Sequence, residues 1–160
     1  KDNDIDIKEY IEESATMKGT IGDTLSSDDV KITLTDALIY PRIEGEAFTD
    51  TPAEGKEYLV FFFNVENIDD ENNFVSIHNF TGYVDDTLVA SKILINNVDN
   101  VQYLSADLTP GKKTRGYVAY EVDTNWKQFD IHYKENSFDY NDSMIFTVVN
   151  EENNQNNNNA

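Results

Sequence analysis

The longest apolar run in the chain is EYLVFFFNVEN, Glu57 to Asn67. Side chains alternate between the two faces of a strand. Leu59, Phe61, Phe63 and Val65 therefore share one face, and Tyr58, Val60 and Phe62 share the other. A half-buried strand is polar on its second face. Here both faces are apolar as far as Phe63, and then Asn64 and Glu66 turn one of them polar. The pattern predicts a central strand covered on both sides in its first half and running out to solvent in its second. Tyr58, Val60 and Phe62 are then either the plain outer face of a sandwich strand or a surface under a helix, a loop or a partner. The weak helical stripe of Ile7, Tyr10, Ile11 and Met17 supplies one candidate cover.

Other segments alternate in the same way. In VKITLTDALIY, Val30, Ile32 and Leu34 point inward, and Asp36 would land on the same side. That predicts a bulge near Thr35 to Ala37 which returns Ala37 and Ile39 to the inner face. KKTRGYVAYEV, from Lys112, sets Val118, Tyr120 and Val122 against Tyr117, Ala119 and Glu121. KQFDIHYK places Phe129, Ile131 and Tyr133 inward, and MIFTVV, from Met144, closes the series. GTIGDTL, from Gly19, reads as a short first strand. Phe74 to Ser91 reads as short strands with a hairpin tip at Asp85 and Asp86, although Asn-Gly is the favoured tip. Lys92 to Leu108 reads as a meandering connection with a short strand around Val101 to Leu104. Pro41 to Lys56 reads as a long loop.

Many short strands with little helix and no repeat predict an all-β antiparallel β-sandwich of about seven to nine strands, with room for a short N-terminal helix. The expected organisation is a tether or short helix over 1–18, the sandwich over 19–149 and a disordered Asn-rich tail over 150–160, where NEENNQNNNNA offers nothing to bury.

Composition narrows the function classes. The 160 residues suffice for one domain with a proper core. Cysteine is absent, which removes disulfides, thiolate metal sites and a cysteine nucleophile. A net charge of −19, from 31 acidic against 12 basic residues, repels nucleic-acid backbones and anionic lipid. No apolar run approaches the ~20 residues of a membrane span. The chain opens on Lys1, without a signal peptide, which is the expectation for a processing boundary.

LTPGKKTRGYVAYEV, then KQFDIHYK, then MIFTVV resembles the telokin-like bacterial lipoprotein domains of unknown function that are related to the mycobacterial immunoprotective extracellular protein. The positions that carry the likeness are Leu108, Pro110, Gly111, Gly116, Tyr117, Val118, Glu121, Val122, Ile131 and Tyr133. GTIGDTL and then VKITLTDALIY resemble the family's opening pair of strands, and EYLVFFFNVEN resembles its central strand, with Asn67 at the asparagine that ends it. The resemblance covers about residues 19–149. It implies an immunoglobulin-like sandwich and a secreted or lipid-anchored cell-surface protein of a Gram-positive-type bacterium. The membrane would be reached only through an N-terminal lipid anchor, whose cysteine is not among these residues. The family brings no catalytic constellation, so the chain is expected not to be an enzyme and to need no cofactor.

Candidate chemistry is sparse. Asp2, Asp4, Asp6 and Glu13 copy part of an EF-hand spacing, but Ile7 stands where glycine is needed. Asp69, Asp70 and Glu71 with Asp85 and Asp86 could line one end of the sandwich and hold calcium through oxygen ligands, or be solvated acidic turns. His78 and His132 lack a local nucleophile motif. Lys112, Lys113 and Arg115 are the one basic cluster, either a docking patch or charge that protects a strand beginning. Tyr58, Val60, Phe62 and Tyr117 are candidate partner-binding residues on an exposed sheet face, for a protein or glycan partner.

Overall fold

The computed structural model describes residues 17–135 and 144–158. In chain order the strands are β1 (Met17–Gly19), β2 (Thr24–Ser26), β3 (Val30–Tyr40), β4 (Ile43–Glu44), β5 (Thr49–Asp50), β6 (Lys56–Asn67), β7 (Asn73–Ser76), β8 (Phe80–Val84), β9 (Thr87–Val89), β10 (Ser91–Lys92), β11 (Ser105–Leu108), β12 (Lys113–Asp123), β13 (Gln128–Tyr133) and β14 (Met144–Val149). A helix, α1 (Glu151–Asn158), follows. Two five-stranded sheets form the sandwich, one in the order β10-β12-β6-β3-β2 and the other in the order β1-β14-β13-β8-β9.

The apolar run is the middle strand of its sheet, paired antiparallel with β12 on one side and β3 on the other. Its inner face, Leu59, Phe61, Phe63 and Val65, is fully buried in the inter-sheet core. Phe129 meets Phe61 at 5.0 Å between ring centroids, and Phe80 meets Phe63 at 4.8 Å. Offset and edge-on aromatic pairs of this kind add to the burial that holds two sheets together. The bulge forms where Asp36 breaks the alternation: the β3–β6 register shifts between Leu34 and Asp36, and Ala37 packs on the core.

The hairpin tip is also where the pattern placed it. Asp85 and Asp86 have φ of 46° and 68°, the left-handed pair that a two-residue turn between twisted strands requires. Asp tolerates that region better than most residues.

Some expectations are corrected. GTIGDTL is not one strand. Thr20 to Asp23 form a turn, with the Thr20 amide donating to Asp23 Oδ2 at 2.8 Å and Gly22 at a φ of 92°. That turn carries the chain from β1 in one sheet to β2 in the other. β1 pairs parallel with β14, whereas the other named strands pair antiparallel. The sheet begins at Met17, inside the segment assigned to the tether. The stretch from Lys1 to Thr16, with Ile7 to Ile11 and the Asp2 to Glu13 spacing, lies outside the described residues. The tail is not structureless at its start. Asn153 Nδ2 donates to the carbonyls of Thr124 and Trp126 at 3.0 and 2.7 Å, and Asn154 Nδ2 donates to Lys127 at 3.2 Å. Asparagine side chains thus satisfy turn carbonyls that the strands leave over.

Candidate functional site

The outward face of the β6 sheet is built from cross-strand rows. Lys31, Glu66 and Lys113 are neighbours in one row, and Thr33, Asn64 and Arg115 in the next. Further along come Phe62 with Tyr117, Val60 with Ala119, and Tyr58 with Glu121. The face is polar at the Asn67 end of β6 and apolar at the Lys56 end, which is the polarity switch visible in the sequence of β6.

The apolar half is not an exposed partner surface. Tyr58, Val60, Phe62 and Tyr117 are at most 2 % exposed. Two connections fold over them: Ile43 from the β3–β6 connection, and Leu94 and Val98 from the β10–β11 connection, complete a second hydrophobic cluster on this side. The cover is therefore chain from the long loops, which sequence alternation alone cannot assign. A buried carboxylate joins the two lids. Asp50 accepts from the amides of Ile95 and Asn96 at 2.8 and 2.9 Å and from Asn96 Nδ2 at 3.0 Å. Asn96 Nδ2 also donates to the Phe48 carbonyl at 2.9 Å. Gly45 is forced by this clamp, since a Cβ there would stand 1.8 Å from Asn96 Oδ1. The Tyr40 hydroxyl donates to Asp99 at 2.7 Å, and the Tyr117 hydroxyl donates to the Asn96 carbonyl at 3.2 Å. Burial first, and then the charge of Asp50, pushes the Tyr117 phenol up to about 12. Burial likewise raises Tyr58.

The polar half stays open. It forms a groove of about 620 Å³ whose walls include Thr24, Lys31 and Thr33 on one side and Lys113 and Arg115 on the other. Arg115 is held in place: Nη1 donates to Thr35 Oγ1 at 2.7 Å and to Asn64 Oδ1 at 3.2 Å, and the guanidinium lies 5.4 Å from the Phe62 ring centroid. Stacking of this kind fixes a cation with little further entropy loss. Lys113 lies 3.9 Å from Glu66, and Arg115 lies 3.9 Å from Asp36, both loose contacts between half-exposed groups. Lys113 and Arg115 of the sequence's basic cluster thus belong to this groove. The sequence marks Asn64 as part of a polar face, and the alternation of β3 adds Lys31 and Thr33 to it.

The acidic turns do not form one site. Asp69 to Glu71 follow Asn67, at the end where Glu66 pairs with Lys113. Asp85 accepts from the amides of Lys127 and Gln128, next to Trp126, whose indole donates to Glu57 at 3.1 Å. Glu57 and Asn67 are the two ends of the central strand, so Asp85 and Asp86 stand at the opposite end of the sandwich from Asp69. Their oxygens also serve the backbone: the Asp70 amide donates to Asp69 Oδ1 at 2.8 Å and holds that carboxyl below the usual carboxylate range. Among the described residues no group of three or more acidic or histidine side chains could hold a metal ion. His78 lies in the 3-10 turn before β8, and His132 packs 4.8 Å from the Tyr83 ring.

Among the described residues no helix is long and apolar enough to cross a membrane. The fold is shared with several solved structures. A candidate lipoprotein (ycdA) of Bacillus subtilis superposes with a TM-score of 0.64 at 18% identity, over 80% of this chain and 38% of that one, so this chain spans about two fifths of its length. A candidate lipoprotein of Staphylococcus aureus gives 0.57 at 16% identity, over 81% and 90% of the two chains. The secreted protein MPT63 of Mycobacterium tuberculosis gives 0.55 at 13% identity, over 84% and 98%. This bears out the relation to the mycobacterial extracellular protein that the strand motifs carry. No curated protein matches the sequence. Residues 19–156 match the family described as Domain of unknown function (DUF4352), and the protein belongs to that family.

Proposed function

We propose that the protein is a non-catalytic, extracytoplasmic binding module whose ligand lies on the open polar half of the β6 sheet. One observation carries the reading: the Asp50–Asn96 clamp holds two lids over the apolar half of a continuous sheet face and leaves the other half as a groove. A face that needed only to be shielded would be covered along its whole length. The groove offers ammonium, guanidinium, hydroxyl and amide groups on rigid central strands, the placement that favours binding over loop-borne chemistry. No histidine lines it, and its two nearby carboxylates, Glu66 and Asp36, lie beside Lys113 and Arg115 rather than beside a nucleophile. Similarity of fold to candidate lipoproteins and to a secreted protein supports the extracytoplasmic assignment.

The test is amide chemical-shift mapping of the ¹⁵N-labelled chain against a panel of soluble glycans, peptides and small anions. The expected result is perturbation confined to Lys31–Thr33, Asn64–Glu66 and Lys113–Arg115. Perturbation centred on the lids, or on the acidic turns with calcium, would place the binding surface elsewhere.

A further inference from the structure

The charge of the groove differs from that of the chain around it. The protein carries −19 overall, yet the two polar rows hold Lys31, Lys113 and Arg115 against Glu66, with Asp36 beside Arg115, so cations outnumber carboxylates here. Lys31 and Lys113 flank Glu66 from the two neighbouring strands, and only Lys113 comes within ion-pair distance of it, at 3.9 Å. Neighbouring strands lie about 4.8 Å apart, and residues two apart on a strand about 6.8 Å apart. The three cations are therefore spread over roughly 10 Å by 7 Å, the reach of one compact ligand.

Donors remain unused inside this frame. The hydroxyls of Thr24 and Thr33 are hydrogen-bonded to each other at 2.6 Å. One donates and the other accepts, and the acceptor keeps a proton for a ligand. Asn64 accepts from Arg115 through Oδ1, which turns its amide nitrogen into a donor with no partner among the described residues. Lys31 likewise forms no ion pair among the described residues. The site thus presents an excess of donors.

The same geometry selects among anions. Arg115 spends Nη1 on Thr35 and Asn64 and has Nη2 3.9 Å from Asp36, so it meets a ligand only through its remaining Nε–Nη2 edge. Lysines act as point charges and suit the several oxygens of a phosphate. A long polyanion would run beyond the groove into a chain of strongly negative charge, whereas a compact one is screened from it beyond about 8 Å at physiological salt. Extended nucleic acid and anionic membrane are disfavoured on that ground. We propose that the groove binds a compact, soluble phosphorylated polyol, with the phosphate between Lys31, Lys113 and Arg115 and the hydroxyls on Asn64 and the Thr24–Thr33 pair. This rests on the proposed binding role of the same face and adds its ligand class.

The probe is glycerol 3-phosphate, compared with glycerol and with hexaglutamate, on the intact ¹⁵N-labelled chain. Glycerol 3-phosphate should shift the amides of residues 31–33, 64–66 and 113–115, and glycerol should not. Raising salt from 50 to 200 mM should weaken binding several-fold. The double variant Lys31→Gln/Lys113→Gln should weaken it at least about tenfold, since charge-assisted hydrogen bonds are lost. Both lysines are exposed strand residues, and an unchanged spectrum outside the groove shows that the variant is folded. Equal response to glycerol, no effect of the double variant, or tighter binding of hexaglutamate would overturn the phosphate assignment. If glycans or peptides move these rows while glycerol 3-phosphate does not, the ligand class falls and the binding face stands. If no probe moves them, both fall.

Discussion

The side-chain amide of Asn67 donates a 2.8 Å hydrogen bond to the carbonyl of Leu108, 41 residues further along the chain. The same nitrogen donates to the Glu71 carbonyl at 2.8 Å, and Oδ1 accepts from the Asp69 amide and from Asn73 Nδ2 at 2.9 and 2.8 Å. The residue is fully buried. A buried amide with each group satisfied joins the end of β6, the acidic turn after it and the end of β11. It is the pin at which the open half of the sheet ends.

Asn67→Ala should therefore be among the most destabilising single changes in the chain. It leaves buried carbonyls and an amide without partners, at a cost of about 3 kcal/mol. Asn67→Asp should be no better, because a carboxylate would face the carbonyls of Leu108 and Glu71. Urea unfolding monitored by circular dichroism measures this, and a midpoint within error of the wild type would show that Asn67 does not pin these segments.

Asp50→Ala should loosen the lids without unfolding the sandwich. Three N–H groups lose their acceptor, while the inter-sheet core shares no residue with the lidded cluster. The expected loss is about 2 kcal/mol, with faster amide exchange confined to residues 93–101 and new dye binding at Tyr58, Val60, Phe62 and Tyr117. Exchange that accelerates throughout both sheets would show that the lids are not a separate unit.

The sandwich was legible because alternation is a strong signal. β3, β13 and β14 carry period-two burial, β6 and β12 are buried on both faces in their middles as their two-sided apolar runs require, and the break at Asp36 is a true bulge. The cover over Tyr58 and Phe62 was not legible, for a physical reason. Ile43, Leu94 and Val98 are isolated apolar residues in irregular segments, and no period marks them as core. The groove was half legible: Asn64 and Glu66 announced a polar face, but only the register with β3 and β12 brings Lys31 and Arg115 to it. The acidic turns misled because proximity in composition is not proximity in space.

The β8–β9 turn leaves room for improvement. Asp86 holds a φ of 68°, a conformation that glycine adopts without a steric cost, whereas Asp85 is needed as the acceptor for Lys127 and Gln128. Asp86→Gly should raise stability by up to about 1 kcal/mol. Asp85→Gly should not, because it discards both hydrogen bonds. Thermal melts of the two variants beside the wild type decide this, and the prediction fails if the two move together.

Tyr120 is buried in the inter-sheet core, with its ring 4.6 Å from Phe129, and its hydroxyl has no hydrogen-bond partner among the described residues. A buried hydroxyl without a partner is a cost, so Tyr120→Phe should stabilise the protein by about 1 kcal/mol at neutral pH. The same burial raises the Tyr120 phenol well above its ordinary 10.0, as it does for Tyr133, and Tyr117 reaches about 12. Below pH 10 folded and unfolded chains both keep these protons, and stability is unaffected. Above it the unfolded chain releases protons that the folded chain retains, so stability falls as pH rises. Each tyrosine contributes a slope of about 1.4 kcal/mol per pH unit until its folded-state value is reached. Tyr120→Phe removes one such contribution and should shift alkaline unfolding to higher pH, while Tyr117 and Tyr133 still drive the unfolding that remains. Tyrosinate absorbance and circular dichroism, followed together between pH 9 and 12.5, measure both effects. An alkaline midpoint that does not move in the variant would mean that Tyr120 ionises in the folded protein and that its site admits water.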